Sequence, residues 1–145
     1  MRIMALDVGE KRIGVALSDE LLVTAQGLCV INSKGEAKDT AYICELIKEH
    51  GVTHLVLGLP RNMNGSYGPM AEKMREFGQR LSEKQQGIVV EYWDERLTTS
   101  AAQRVLVDAD MSRNRRRQVV DKVAAVLILQ GYMDSIARKR SLVQP

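Results

Sequence analysis

The chain of 145 residues has few of the side chains that build zinc sites and nucleophilic triads. Its two cysteines, Cys29 and Cys44, do not form a CxxC pair, and no histidine cluster accompanies them. We therefore expect no zinc site, and two free, buried thiols in a reducing compartment. No Ser-His-Asp or Cys-His pattern occurs either. The acidic residues are thus the first candidates for chemistry.

Long apolar runs and aromatic residues are also scarce. The longest uninterrupted apolar stretch, residues 123–129, is too short to span a bilayer. Asp7 interrupts the first apolar residues too early for a signal peptide, so we expect a cytoplasmic protein with no membrane partner. One Trp, four Tyr and one Phe are too few for extensive stacking on nucleic-acid bases.

The bulk composition predicts one globular domain. Hydrophobic residues make up 45% of the chain and charged residues 27%, and 145 residues can bury a substantial core. We expect a single domain over residues 1–138 and a short, frayed basic tail over residues 139–145. The net charge of +3 tolerates a polyanionic partner without proving one.

The apolar spacing predicts an α/β fold. Three strands joined by short turns are followed by helices that alternate with strands, which predicts a mixed five-stranded sheet with helices on both faces. The expected strands are residues 2–7, 13–18, 25–32, 52–58 and 88–93. The expected helices are residues 36–49, ended by Gly51, then one that begins at Pro69, one capped by Thr98 or Thr99, and one over about 117–137.

Three carboxylates, Asp7, Glu95 and Asp121, stand at apolar segments where folding alone does not explain them. Asp7 closes the first strand, Glu95 follows a later strand, and Asp121 interrupts the apolar face of the last helix. An ionised carboxylate removed from water costs several kcal/mol unless it is paired or binds a metal. Three of them at such positions suggest one shared site for Mg²⁺ or Mn²⁺.

Each carboxylate also has a purely structural explanation. Asp7 could belong to a strand-ending Asp-x-Gly turn, Glu95 could pair with Arg96, and Asp121 could form a salt bridge with a neighbouring arginine. Asp94 competes with Glu95 for the role of ligand, and the alternation of the strand does not decide between them.

Two further segments could contact an anion. Residues 113–117 contain four arginines in five positions, which is also typical of a solvated loop or a helix start. Residues 58–69, rich in Gly, Asn and Pro, could present backbone N–H groups to phosphate. This loop lacks the Lys-Ser ending of a P-loop, so a nucleoside triphosphate site is not expected there.

At these residues the chain resembles the YqgF/RuvX family of RuvC-like Holliday junction resolvases. Residues 7–19 resemble the opening motif of the family. Later motifs follow in order at Gly58-Leu59-Pro60, Met63-Asn64-Gly65, Gly68-Pro69, Asp94-Glu95-Arg96-Leu97-Thr98-Thr99 and Asp121-Lys122-Val123-Ala124-Ala125. The resemblance covers about residues 1 to 135, and the motifs are specific as a set.

The resemblance implies an RNase H-like fold and a nuclease that trims the 5′ end of bacterial precursor 16S ribosomal RNA. It also implies that the acidic triad is Asp7, Glu95 and Asp121, with Asp7 bridging the metals. RuvC-like enzymes usually carry a fourth carboxylate one helical turn away, where this chain has Ala124 and Ala125. Three ligands would hold a second metal ion more loosely.

Together the residues and the resemblance predict phosphodiester hydrolysis with Mg²⁺ or Mn²⁺. The alternatives are a Holliday junction resolvase acting on DNA, a non-catalytic RNA-binding assembly factor, and an ATP-binding fragment related to actin and sugar kinases. Residues expected to contact phosphates, which give affinity without base specificity, are Lys11, Arg12, Arg61, Asn64, Arg96, Arg113, Arg115, Arg116, Arg117 and Lys122.

Overall fold

The structure is a computed structural model that describes residues 1–59, 68–94 and 113–143, with side chains of the last segment described from 122 to 139. The strands are β1 (Ile3–Val8), β2 (Arg12–Ser18), β3 (Ala25–Asn32), β4 (His54–Leu59) and β5 (Val89–Asp94). The helices are α1 (Glu36–His50), α2 (Pro69–Lys84) and α3 (Arg113–Val143). Each predicted strand is confirmed within two residues. The helix predicted after Thr98 or Thr99 lies outside the described residues.

The five strands form one mixed sheet in the order β3-β2-β1-β4-β5. β1 is central, antiparallel to β2 and parallel to β4, while β2 and β3 are antiparallel and β4 and β5 parallel. The carboxyl ends of β1, β3, β4 and β5 therefore meet at one edge, called here the carboxyl edge. This topology confirms the predicted mixed sheet.

The turn between β1 and β2 explains why Gly9 follows the first strand. The Gly9 N–H donates to the carbonyl of Arg12 at 2.8 Å, and a Cβ on Gly9 would lie 3.0 Å from that oxygen. The glycine therefore permits the close approach of the backbone within the turn itself.

Helices cover both faces of the sheet, as predicted. Met4 and Leu6 of β1 pack with α1 and α2, which contribute Ile43, Ile47, Phe77 and Leu81. Ile3 and Ala5 pack with α3, which contributes Ala125, Ile128 and Leu129. Residues 3–6 are all 0% exposed, because both faces of the strand are covered. Burying each large apolar side chain contributes roughly 1.5–3 kcal/mol.

The last helix is longer at both ends than the expected 117–137. It begins at Arg113, so the backbone of the arginine run is helical and does not precede the helix. It also continues through residues 139–143, which belong to the expected frayed tail. Residues 113–143 contain no proline, and arginine and lysine are good helix formers. No residue near the predicted ends at 117 and 137 therefore stops a helix.

Two smaller points complete the description. Both cysteines are free, as expected, but they are half-buried, and burial raises the pKa of the Cys29 and Cys44 thiols. In the part of the chain that the structure describes, no helix has the length and apolar character needed to cross a membrane.

Candidate functional site

Asp7 is the described member of the predicted acidic triad. It lies one residue before the end of the central strand and pairs with Gly14 of β2. Successive residues of a strand point to opposite faces, so Asp7 shares a face with Ile3 and Ala5, which pack against α3. The side chain is half-buried. The central strand thus places a carboxylate at the carboxyl edge, on the α3 face.

The end of β5 lies at the same edge, two strands away. β4 pairs with β1 through Leu6 and Leu57, and with β5 through Gly58 and Trp93, so Trp93 is level with Asp7. Two inter-strand spacings separate β5 from β1 by ~10 Å. Glu95, which follows this strand directly, lies outside the described residues.

Packing against α3 also fixes the directions in which the side chains at the end of β5 point. Trp93 packs against α3, where a Cβ on Gly131 would lie 2.9 Å from Trp93 Cζ2. The rings of Trp93 and Tyr132 meet edge to face, with centroids 6.4 Å apart and planes at 90°. Alternation then places Asp94 on the opposite face of the sheet from Asp7. Asp94 is therefore not placed to share a metal ion with Asp7.

Tyr132 adds a polar contact to this packing. Three effects raise the pKa of Tyr132 to about 12. The largest is burial, the next is the hydrogen bond that its hydroxyl donates to the Glu91 carboxylate, and the last is the negative charge of that carboxylate. The contact joins α3 to β5 three residues before Asp94. Sequence reasoning missed this support, because a Trp and a Gly separated by 38 positions give no local pattern.

The residues of α3 that follow position 121 at helical spacing are buried, as predicted. Ala125, Ile128 and Tyr132, which follow Asp121 at that spacing, pack against the sheet. The side chain of Asp121 itself lies outside the described residues. Ala124 and Ala125 are both buried, so this turn of the helix supplies no further carboxylate.

Two of the predicted phosphate contacts lie near Asp7. Lys11 lies in the β1–β2 turn and Arg12 is the first residue of β2, so both are at the carboxyl edge. Lys122 does not share this position, because its aliphatic chain lies against Gly27 of β3, two strands away. The remaining predicted residues fall outside the described part, at least in their side chains: Arg61, Asn64, Arg96, Arg113, Arg115, Arg116 and Arg117.

No three His, Cys, Asp or Glu side chains within the described residues lie close enough to hold a metal ion. A metal site at Asp7 must therefore draw on ligands outside this set. Glu95 and the Asp121 side chain both lie outside the described residues, so their role as ligands stays a prediction. The carboxylate of Asp7 is a hard oxygen donor of the kind that Mg²⁺ and Mn²⁺ prefer.

Comparisons with known proteins identify the family and the relatives of this chain. A family model described as "RuvX: Holliday junction resolvase" matches residues 1–135. A protein of Heliobacterium modesticaldum is 58% identical over 94% of this chain and 91% of its own length, and one of Moorella thermoacetica is 58% identical over 95% and 98%. Both carry the name "Putative pre-16S rRNA nuclease".

Solved structures show the same fold. Thermus thermophilus RuvC bound to a Holliday junction superposes with a TM-score of 0.57 at 12% identity, covering 94% of this chain and 96% of that one. The fowlpox virus Holliday junction resolvase superposes with a TM-score of 0.59 at 14% identity, covering 94% and 99%. At such low identity the likeness concerns the fold alone, and it confirms the predicted RNase H-like fold.

Proposed function

The chain belongs to the RuvX family, and we propose that it is a divalent-metal-dependent nuclease that processes the 5′ end of precursor 16S rRNA. The observation that carries the proposal is the position of Asp7. It lies on the central strand of an RNase H-like sheet, half-buried at the carboxyl edge, beside Lys11 and Arg12. The names of the curated relatives support ribosomal RNA as the substrate.

Asp7, Glu95 and Asp121 would hold the metal, Mg²⁺ or Mn²⁺. The orientation of the end of β5 supports Glu95 over Asp94, because Asp94 lies on the other face from Asp7. When bound, the metal stabilises negative charge that develops on the phosphate and promotes attack by water. Because Ala124 and Ala125 stand where related enzymes carry a fourth carboxylate, the proposed ligands are these three carboxylates.

The residues around Asp7 would bind and orient the substrate. Lys11 and Arg12 lie at the β1–β2 connection, so their positive charges would hold phosphates that flank the scissile bond. Such contacts set the register of the substrate on the protein and carry no base specificity. Selection between substrates would then depend on the shape of the RNA and on access to a single strand.

The proposal is tested by supplying two substrates side by side. A precursor 16S rRNA fragment and a four-way DNA junction are each incubated with the protein in Mg²⁺, in Mn²⁺ and in a chelator. We expect metal-dependent cleavage of the RNA near the 5′ end of the mature sequence, and an intact junction. Cleavage of the junction with intact RNA would support the alternative, a Holliday junction resolvase. Binding of RNA without cleavage in either metal would support the non-catalytic assembly factor.

A further inference from the structure

A groove runs beside the open edge of β3, between that strand and α1. Its volume is about 360 Å³, and it lies at the carboxyl end of β3. β3 is an edge strand of the sheet, so no further strand among the described residues covers this side. The groove is called here the β3–α1 groove, and its lining residues are Val30, Ile31, Asn32, Lys34, Lys38, Asp39 and Tyr42.

Tyr42 provides an aromatic surface in this groove. It lies on α1 and is 45% exposed, whereas Ile43 and Ile47 of the same helix are buried in the core. An exposed aromatic ring beside a strand edge is the kind of surface on which an unpaired base stacks, and such stacking tolerates any base. The small number of aromatic residues in the sequence did not predict this position.

Two lysines supply positive charge around the ring. Lys34 and Lys38 are exposed, and neither forms an ion pair within the part of the chain that the structure describes. The one acidic residue of the lining, Asp39, is 5% exposed. Its carboxylate accepts hydrogen bonds from the Ser33 hydroxyl at 2.6 Å and from the Lys34 N–H at 3.0 Å, so it is turned into the β3–α1 connection.

The groove lies on the α1 side of the sheet, and the backbone joins it to the turn where phosphate contacts are proposed. The Ser33 N–H donates to the carbonyl of Lys11 at 2.9 Å, which joins the β3–α1 connection to the β1–β2 turn. Asn32 at the end of β3 pairs with Arg12. Only two inter-strand spacings, ~10 Å, separate β3 from the strand that carries Asp7. A strand of nucleic acid held at Lys11 and Arg12 would reach the groove by passing the end of β3 towards α1.

We propose that the β3–α1 groove binds a single-stranded RNA segment of the substrate, with a base stacked on Tyr42 and phosphates at Lys34 and Lys38. The proposal rests on the proposed function for the identity of the ligand as RNA. It adds a second contact region, away from the carboxylates, that selects substrates with an unpaired extension beside the cleavage site.

The test measures binding in a chelator, so that cleavage plays no part. An RNA duplex is compared with the same duplex carrying an unpaired extension of roughly four nucleotides, at the low end of single-strand site sizes. Extensions at the 5′ and 3′ ends are tested separately. For the wild-type protein we expect at least one extension to tighten binding about tenfold, the effect of stacking one base on an aromatic ring.

Variants then assign the effect to the groove. Tyr42→Ala should remove the gain from the extension, and Tyr42→Phe should retain it because the ring remains. Lys34→Gln combined with Lys38→Gln should flatten the log-log salt dependence for the extended RNA by about 1.4, or about 0.7 for each lost phosphate contact. Lys48→Gln is the matched control, because this lysine is exposed on α1 but lies outside the groove. It should leave both quantities unchanged.

Several outcomes would overturn the proposal. Extensions that give no gain with wild-type protein, a gain that survives Tyr42→Ala in a folded protein, or an equal salt effect of Lys48→Gln would each do so. The result is separable from the proposed function. Extension-dependent binding by a protein that cleaves no RNA would contradict the nuclease and support RNA binding in the groove. Cleavage that does not depend on extensions or on Tyr42 would support the nuclease and contradict RNA binding in the groove.

Discussion

At the scale of single residues, Asp7 stands out because of what precedes it. The four residues before it are fully buried apolar side chains, and Asp7 is the first carboxylate of the strand, half-buried at its end. Asp94 looks equivalent in sequence, but the packing of Trp93 on Gly131 places it on the other face. The two aspartates are therefore a matched pair for experiments.

Metal binding should depend on one aspartate and not on the other. Mg²⁺ or Mn²⁺ should raise the Tm of the wild-type protein, because a ligand that binds only the native state stabilises it by about 2.7 kcal/mol at a hundredfold excess over Kd. Thermal unfolding should show this shift for Asp94→Asn and lose it for Asp7→Asn. Equal shifts in all three proteins would place the metal elsewhere. Without metal, Asp7→Asn should be at least as stable as wild type, because like-charge repulsion among the carboxylates is relieved.

The contact between Gly131 and Trp93 should resist a single added methyl group. A Cβ at position 131 would lie 2.9–3.3 Å from three atoms of a rigid indole ring. Overpacking costs about 1–3 kcal/mol, whereas the gain in helix propensity from Gly to Ala is about 1 kcal/mol. Gly131→Ala should thus lower the free energy of unfolding by about 1 kcal/mol and shift the emission of Trp93, the single tryptophan. A more stable variant with unchanged emission would contradict the packing.

At the scale of elements, local patterns in the sequence predicted most strands and helices. Alternating and continuous apolar runs indicated the five strands, the short β1–β2 turn required antiparallel pairing, and Pro69 and Gly51 marked helix ends that the structure confirms. The limits of α3 could not be predicted, because no residue from 113 to 143 forces a helix to begin or end. The packing of α3 on β5 joins residues far apart in sequence and leaves no local signal.

The contact between α3 and β5 should appear in the pH dependence of stability. The folded state keeps Tyr132 protonated up to a pKa of about 12, against 10.0 for a free tyrosine. The unfolded chain therefore loses this proton first, and the contribution of Tyr132 to stability is present below pH 10 and is lost as the pH rises towards 12. Chemical unfolding over this range should be less pH-dependent in Tyr132→Phe. Tyr42→Phe, at an exposed tyrosine, should behave as wild type, and an equal response of both variants would contradict the assignment.

The helical backbone of the arginine run changes which arginines act together. Positions 113, 116 and 117 fall on one face by helical spacing, and position 115 lies about 100° or more from that face. If the run binds RNA, replacing Arg113, Arg116 and Arg117 with Gln should flatten the log-log salt dependence of RNA binding by up to about three phosphate equivalents. Arg115→Gln alone should change it by one at most. A loss of thermal stability with an unchanged salt dependence would instead assign the run to structural ion pairs.

At the scale of the whole molecule, one edge of one sheet gathers the features expected of a nuclease. Asp7, the β1–β2 turn, the β3–α1 groove and the end of β5 all lie at the carboxyl edge because β1, β3, β4 and β5 run in the same direction. The net charge of +3 is compatible with RNA but too small to identify it. In the sequence, Asp7 closes one strand and Glu95 follows another, which indicates strand ends as the place of the site. The groove has no such signal, because it arises only when β3 and α1 are folded beside the turn.

The most direct test of the account is single-turnover cleavage of a precursor 16S rRNA fragment by wild-type protein and by Asp7→Asn, with RNA binding measured on the same samples. Removing one charge that stabilises a transition state typically slows an enzyme by about a hundred- to a thousandfold. We expect at least a loss of this size in the cleavage rate for Asp7→Asn, with RNA affinity in chelator and thermal stability retained. Cleavage by purified Asp7→Asn at the wild-type rate would remove Asp7 from the mechanism and contradict the account.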